Sequence, residues 1–338
     1  MKHFRITSPD IAIDMGTANT RTGSKKNQTI LQEPTVLALD INKKEVISIG
    51  KKAKELLGKS PENIIAVRPL KDGVVSDFEL TQALLEYYIH QTIPGLSLFP
   101  PRIALTIPSG ATDVEERALQ DAALQSGARD VILVEETLAA AYGADLIQNP
   151  SQSRIIADLG AGTTEAAIVS GYGLITSKVI FHGGDFVDQE IKKVLQESFN
   201  LDIGENTAET LKNNIASLSA GDQQELMEIG GRDAISGLPK TIVVRAGDLL
   251  PALETYILSL VDALHSVLEM APPEVASDIM NQGLFLTGGL SQLKGLDSYF
   301  KKELAMPVIL SDNPTLDSVR GALAALSLVD KSGKRERT

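Results

Sequence analysis

The chain writes one turn twice, and that repetition limits its possible folds more than any other feature. Residues 11–20 read IAIDMGTANT and residues 155–164 read IIADLGAGTT. Each has an apolar run, an Asp, an apolar residue, a Gly, three small or polar residues and a Thr. Asp14 and Asp158, Gly16 and Gly160, and Thr20 and Thr164 therefore recur at the same offset. An Asp that closes a buried strand stands at the end of a sheet, where α/β folds place ligands. The Gly lets the backbone turn closely and present successive N–H groups, a cradle for phosphate oxygens. Thr hydroxyls add donors, and the Asp suits a hydrated Mg2+ that neutralises phosphate charge. Two such turns, each behind an apolar strand, read as a pair of hairpins gripping one nucleotide polyphosphate from both sides.

The surrounding sequence repeats as well. Strand signals at 11–14, 35–40 and 45–49 lead to helix-prone stretches at 51–57 and 77–90 and a buried strand at 103–107. Thr112-x-x-Glu115 is a capping box opening a helix that runs to about 126, with Gly127 just past its end. Val114, Ala118, Leu119 and Ala122 form its expected apolar stripe. A strand at 131–134 precedes a small-residue helix at 137–144, and NPSQS at 149–153 reads as a linker. Strand signals restart at 155–158, 165–169 and 174–181, followed by helices near 186–198 and 207–218. A short strand at 241–245, a helix at 251–270 and a buried strand at 283–287 complete the pattern. Strands first and helices after, stated twice, predict two related α/β domains. With 338 residues the chain is long enough for two cores.

Composition removes several function classes. No Cys is present, which excludes disulfides, thiol nucleophiles and Cys-ligated zinc, and fits a reducing cytosol. A formal net charge of −12 argues against a nucleic-acid partner and against simple electrostatic docking on anionic lipid. No apolar run is long enough to span a bilayer, and MKHFRITSPD has no apolar leader core, so a cytoplasmic protein is expected. The basic KSGKRERT at the C-terminus reads as a frayed tail.

Other motifs have bland and chemical readings. The glycines at 160 and 162 lead into a strand, AAIVSGYG, and not into the helix a dinucleotide-binding turn requires. AKELLGKS at 53–60 matches a relaxed phosphate-loop pattern, but it is helix-prone through Leu57 and meets Pro61 directly. Glu135-Glu136 follows the apolar strand VILV and reads either as solvated charge at a strand end or as a pair of which one orients a water for attack on a γ-phosphate. Glu209 and Lys212, at i and i+3, form either a helix salt bridge or one face that bonds a ribose or purine. Thr287-Gly288-Gly289 ends a buried strand where a flat base can approach the backbone. The Pro/Gly loop at 93–101 carries Leu98 and Phe99, either tucked on the core or offered to a membrane surface or partner. The four His form no spaced pair.

The order of these pieces resembles the actin-like ATPase superfamily, and most closely the MreB/Mbl family of bacterial actin homologues. The similarity is carried by IDMGTANT, QEPTVLALD, IIAVRPLKDGVVSDFELT, PSGATDVEERALQDAALQSGARDVILVEETLAAAYGA, DLGAGTTEAAIVS, GENTAETLK, GRDAISGLPKTI, PPEVASDIM and LTGG. It implies an α/β actin-like fold: two ribonuclease-H-like domains, each with a smaller inserted subdomain, and a nucleotide in the central cleft. Domain I would comprise 1–144 with about 312–338, its small subdomain at about 31–75. Domain II would comprise 145–311, its small subdomain at about 183–244.

The resemblance implies a first phosphate hairpin of Gly16, Thr17, Ala18 and Asn19, and a second of Gly160, Ala161, Gly162, Thr163 and Thr164. Asp14 and Asp158 would hold Mg2+ through waters. Glu136 matches the residue that orients the attacking water, with Thr163 assisting. Glu209, Lys212, Gly288, Gly289 and the following Leu290 match adenosine-side positions, and Gly184 and Asp185 positions lining the cleft. Leu98 and Phe99 match a hydrophobic membrane-binding loop, whereas the N-terminus is too short and polar for the amphipathic anchor of other members. Three positions depart from the family pattern: Ala161 stands where a middle Gly is usual, Leu290 where a third Gly is usual, and Thr137 where a Pro is usual.

The implied function is a cytoskeletal ATPase that binds ATP (or ADP) with Mg2+ and polymerises with itself. It would lie peripherally on the inner face of the cell membrane, with cell-shape and cell-wall synthesis membrane proteins as partners. Two alternatives stand beside it: a nucleotide-binding filament with little hydrolysis, suggested by Ala161, and a small-molecule kinase of the same superfamily.

Overall fold

A computed structural model describes residues 9–25, 30–71, 73–93 and 99–335, with side chains through residue 328. The chain divides into two compact units, 1–148 with 316–338, and 149–315.

The first unit opens with β1 (Asp10–Met15), β2 (Asn19–Ser24), β3 (Ile30–Pro34), β4 (Leu37–Asp40) and β5 (Glu45–Ile49). A single turn of helix α1 (Lys51–Lys54), β6 (Ile64–Val67), the short pair β7 (Leu70–Lys71) and β8 (Val74–Val75), and α2 (Phe78–Thr92) follow. Then come β9 (Arg102–Ile107), α3 (Asp113–Gln125), β10 (Asp130–Glu135) and α4 (Glu136–Gly143).

The second unit contains β11 (Arg154–Leu159), β12 (Thr164–Ser170), β13 (Gly173–Ile180), α5 (Gly184–Phe199), β14 (Leu201–Asp202) and α6 (Glu205–Asn214). It continues with β15 (Leu226–Asp233), β16 (Pro239–Arg245), α7 (Leu250–Glu269), α8 (Pro273–Gln282), β17 (Leu284–Thr287), α9 (Leu296–Glu303) and β18 (Val308–Leu310). The last helix, α10 (Asp317–Arg335), belongs to the first unit.

The repetition in sequence is a repetition in topology. The first sheet runs β10-β9-β1-β2-β3 and the second β18-β17-β11-β12-β13. In each, three antiparallel strands follow one another, a fourth pairs with the opening strand in parallel, and a fifth pairs in parallel with the fourth. The C-terminal ends of β1, β9 and β10 thus share one edge of the first sheet, as those of β11, β17 and β18 do in the second. Smaller antiparallel sheets, β5-β4-β6 and β14-β15-β16, are inserted in the two units.

Both faces of β1 are buried, and its side chains alternate between them. Ile11, Ile13 and Met15 pack with Leu84, Leu85, Tyr88 and Leu119 from α2 and α3. Ala12 faces Ala139 of α4 and Val319, Ala322 and Leu326 of α10. In the second unit Ile155, Ala157 and Leu159 of β11 pack against Val187 and Ile191 of α5 and Tyr256 and Leu260 of α7. The helices α4 and α10 touch through small residues. A Cβ on Gly321 would overlap the Ala139 carbonyl, and one on Gly143 the carbonyl oxygen of Asp317.

The capping box at the start of α3 is formed as its sequence requires, Thr112 and Glu115 bonding reciprocally, and Gly127 follows with φ 97°. Its apolar stripe needs one correction: Leu119 and Ala122 are buried, but Val114 is 77% exposed. Val114 lies in the first turn of the helix, where helical spacing alone overstates burial. The stretch at 51–57 is helical only through Lys54, continuing in turns to Gly58 at φ 70°. The C-terminal tail is also corrected, since the backbone of α10 remains helical to Arg335.

Candidate functional site

Each unit carries one copy of the repeated turn at the C-terminal edge of its sheet. In the first, β1 and β2 pair in antiparallel register, Met15 opposite Thr20, and residues 16–18 make the turn. A Cβ on Gly16 would lie 2.9 Å from the carbonyl oxygen of Asn19, so the turn closes only around glycine. The Thr35 hydroxyl donates to the Gly16 carbonyl at 2.7 Å, and the Thr35 N–H to the Ala18 carbonyl at 2.9 Å. Thr20 and Thr35 hydroxyls share a further bond of 2.9 Å. In a trans peptide the N–H of the next residue points opposite the carbonyl. The N–H groups of Thr17 and Asn19 are therefore directed away from Thr35, the arrangement an anion needs.

The second copy repeats this device with different partners. A Cβ on Gly160 would lie 2.8 Å from the Thr163 carbonyl oxygen, and the Gly160 N–H donates to that carbonyl at 2.9 Å. The Gly160 and Ala161 carbonyls accept from the Gly184 and Asp185 N–H groups at 3.0 and 2.9 Å. The orphan donors of the first turn of α5 are thereby used, and the N–H groups of Ala161 and Gly162 face away from that helix. Thr163 and Thr164 are buried, and Thr164 shares a hydrogen bond of 2.9 Å with the buried Tyr256 hydroxyl. Burial pushes the Tyr256 hydroxyl well above its ordinary value, so it stays protonated as a partner for Thr164.

Asp14 is buried between two donors. The Thr106 hydroxyl bonds its Oδ1 at 2.7 Å, and Arg21 Nη1 bonds its Oδ2 at 3.3 Å. Arg21 stands directly opposite Asp14 on β2, while the matching place opposite Asp158 on β12 holds Glu165. Asp158 lies beside Thr287 on the parallel strand β17. A carboxylate offers about four lone-pair directions, so Asp14 keeps capacity for water ligands of a cation after both bonds. Among the described residues no group of three or more His, Asp or Glu could hold a metal alone. Asp14 and Asp158 each supply carboxylate oxygens behind their own hairpin, the hard donor chemistry that a hydrated Mg2+ takes.

Glu135 ends β10 and Glu136 begins α4, at the same sheet edge as Asp14. Burial, followed by the nearby Glu116, raises the Glu135 carboxyl above its usual range. Thr137 is fully buried. At the matching edge of the second unit, Gly288 adopts φ 83° and presses against Asp158 and Leu159, where any Cβ would overlap. Gly289 has open space around its Cα. Leu290 packs its side chain in the core, leaving only its backbone for a ligand.

The pair Glu209 and Lys212 is rearranged from its simplest reading. Lys212 Nζ bonds Asp188 Oδ2 at 2.7 Å and the Gly184 carbonyl at 2.9 Å, both on α5. Asp188 was invisible to sequence reasoning because it belongs to no motif. Its only signal is its place four residues after Gly184, on the same helix face. Phe99 is 48% exposed, and Leu98 lies outside the described residues. No described helix is long and apolar enough to cross a membrane.

The model for the MreB/Mbl protein family matches residues 8–334. The chain is 38% identical to the cell shape-determining protein MreB of Escherichia coli K12, with 98% of each chain covered. It is 40% identical to the cell shape-determining protein Mbl of Bacillus subtilis, covering 97% of this chain and 98% of that one. Among solved structures it resembles MreB 5 of Spiroplasma citri bound to AMPPNP, with a TM-score of 0.92 and 32% identity over 98% of this chain and 99% of that one. A MamK double helical filament shares the fold, with a TM-score of 0.81 at 23% identity over 95% of this chain and 99% of that one.

Proposed function

This chain belongs to the MreB/Mbl family of actin-like proteins, and from that premise we propose that it is a cytoskeletal ATPase. The hairpins are its phosphate-binding turns for ATP, and the loaded protein assembles into filaments along the inner face of the cell membrane. There it organises cell-wall synthesis and supports rod shape. The observation that carries this reading is the duplicated sheet edge, where each copy turns its carbonyls inward and its N–H groups outward. Relatives named for cell shape and a structural neighbour bound to AMPPNP support it.

In this mechanism the N–H groups at 17, 19, 161 and 162 cradle the phosphates. Mg2+, when bound, would neutralise phosphate charge, and Asp14 and Asp158 are the carboxylates that would hold it. Glu136, with Thr163, orients the attacking water, since phosphoryl transfer depends on positioning and charge stabilisation more than on covalent chemistry. The backbone at Gly288 and Gly289 borders the base, and the exposed Phe99 contributes the lipid contact. Sedimentation with ATP, ADP or no nucleotide tests the proposal: pelleting with ATP and Mg2+ is expected, and a persistent monomer in all three contradicts it.

Arg21 gives this site a second prediction. Its guanidinium offsets the Asp14 charge, which otherwise repels phosphate. Arg21→Gln keeps a donor for Asp14 and removes that compensation. ATP affinity in EDTA is expected to fall about tenfold, with a smaller loss in excess Mg2+, measured by calorimetric titration. Equal losses in both conditions would assign Arg21 a purely structural role.

A further inference from the structure

We infer that Asp188 and Lys212 form an internal tie that sets the position of the second hairpin through Gly184. Asp188 acts as a positioning residue, and Lys212 as its strut. The inference deepens the proposed nucleotide site and rests on that reading for its effect on ligand affinity.

The tie is continuous. Asp188 Oδ2 accepts from Lys212 Nζ at 2.7 Å, and the same ammonium donates to the Gly184 carbonyl at 2.9 Å. The Gly184 N–H donates to the Gly160 carbonyl at 3.0 Å, and the next N–H, of Asp185, to the Ala161 carbonyl at 2.9 Å. Gly184 is therefore held at its oxygen by α6 and at its nitrogen by the hairpin. Space at this junction is closed. A Cβ on Gly184 would stand 3.0 Å from Lys212 Nζ, and one on Gly183 would stand 2.5 Å from the Ala161 carbonyl oxygen. A shift of Lys212 is thus passed to the hairpin carbonyls, and with them to the N–H groups on the opposite side of each peptide. Lys212 has three N–H donors, and two are spent inside the protein.

Charge decides when the tie holds. Asp188 is 7% exposed, and its Oδ1 is buried without a hydrogen-bond partner. Burial pushes its carboxyl up to about 6; Lys212 opposes this, while Asp185 on the same helix and Glu209 on α6 add to it. Helix α7, strand β14 and the short turn at 246–249, which also pack on α5, supply none of the groups that shift Asp188, the turn's Asp248 included. The sign is informative. Because the folded value lies above the ordinary one, protonation of Asp188 favours the fold as pH falls through about 6. The same protonation weakens the bond to Lys212. Affinity for nucleotide and this group's contribution to stability therefore move in opposite directions, which a merely structural residue would not produce.

The experiment compares the full-length protein with its Asp188→Asn and Asp188→Glu variants. With ATP and Mg2+ as the probe, wild-type affinity is expected to fall about tenfold from pH 7.5 to 5.0 as the ionised fraction drops. Asp188→Asn should already be weakened at pH 7.5 and show a flat profile, and Asp188→Glu should restore part of the pH dependence. Amide hydrogen exchange over residues 156–166, without nucleotide and at one pH, is the second readout. Exchange about tenfold faster in Asp188→Asn than in wild type supports the tie. Unchanged exchange, or a wild-type pH profile in Asp188→Asn, overturns it. If wild type bound no ATP at any pH, the nucleotide reading would fail, and exchange would still decide the tie.

Discussion

Gly321→Val is expected to undo the first unit, lowering its urea midpoint by the equivalent of at least 3 kcal/mol, about the upper end of ordinary overpacking. The helices α4 and α10 meet at glycines that leave no room. A Cβ on Gly321 would overlap the backbone of Ala139, and Gly143 is closed in the same way by Asp317 and by the Gly321 N–H. Backbone cannot rotate aside as a flexible side chain can, so a valine forces the helices apart. That separation opens the small-residue layer of Ala139, Ala322 and Ala325 against β1 and β9. It also disturbs α4 at the helix whose first residue is Glu136, so nucleotide turnover should be lost with stability. The control is Gly230→Ala, an exposed strand position where no atom lies within 4 Å of the added Cβ. A change within about 0.5 kcal/mol is expected there. Equal midpoints for Gly321→Val and wild type would show that α10 does not pack as described.

Glu136→Ala is expected to slow phosphate release from ATP by about a hundredfold, as loss of a positioned base typically does, equivalent to about 2.7 kcal/mol in the barrier. ATP affinity should remain near wild type, because the N–H groups proposed to meet the phosphates lie in the hairpins and not on α4. Filaments of the variant should consequently persist longer than those of wild type. Ala161→Gly, measured alongside, asks whether the extra methyl in the second hairpin restrains turnover; a faster rate is expected. An unchanged rate in Glu136→Ala would remove Glu136 from the role of orienting water.

Much of this was legible in the sequence because the chain states its main motif twice. The offset shared by Asp14-Gly16-Thr20 and Asp158-Gly160-Thr164 becomes two hairpins at equivalent edges of two sheets with one strand order. The capping box at Thr112 was equally readable, since its two residues act locally. Features set by distant contacts were not. Strand β15 reads LMEIGGRD and buries only Ile229 fully, so no alternation marks it as a strand. Helix α10 is recognised in the structure by what it packs on, and its glycine at 321 argues against a helix until α4 supplies the reason. Val114 has helical spacing but faces solvent. Spacing put Lys212 on one face with Glu209, and the bond it makes to Asp188, a residue with no motif, is set by packing between two helices. Arg21 was likewise silent, because its partner Asp14 is seven residues away across a hairpin.

Electron microscopy of the purified protein with Mg2+, with and without ATP, distinguishes nucleotide-driven assembly from its absence. Filaments are expected with ATP and dispersed particles without it. Dispersed particles in both conditions, from protein shown to bind ATP, would contradict the claim that nucleotide held by the paired hairpins drives assembly.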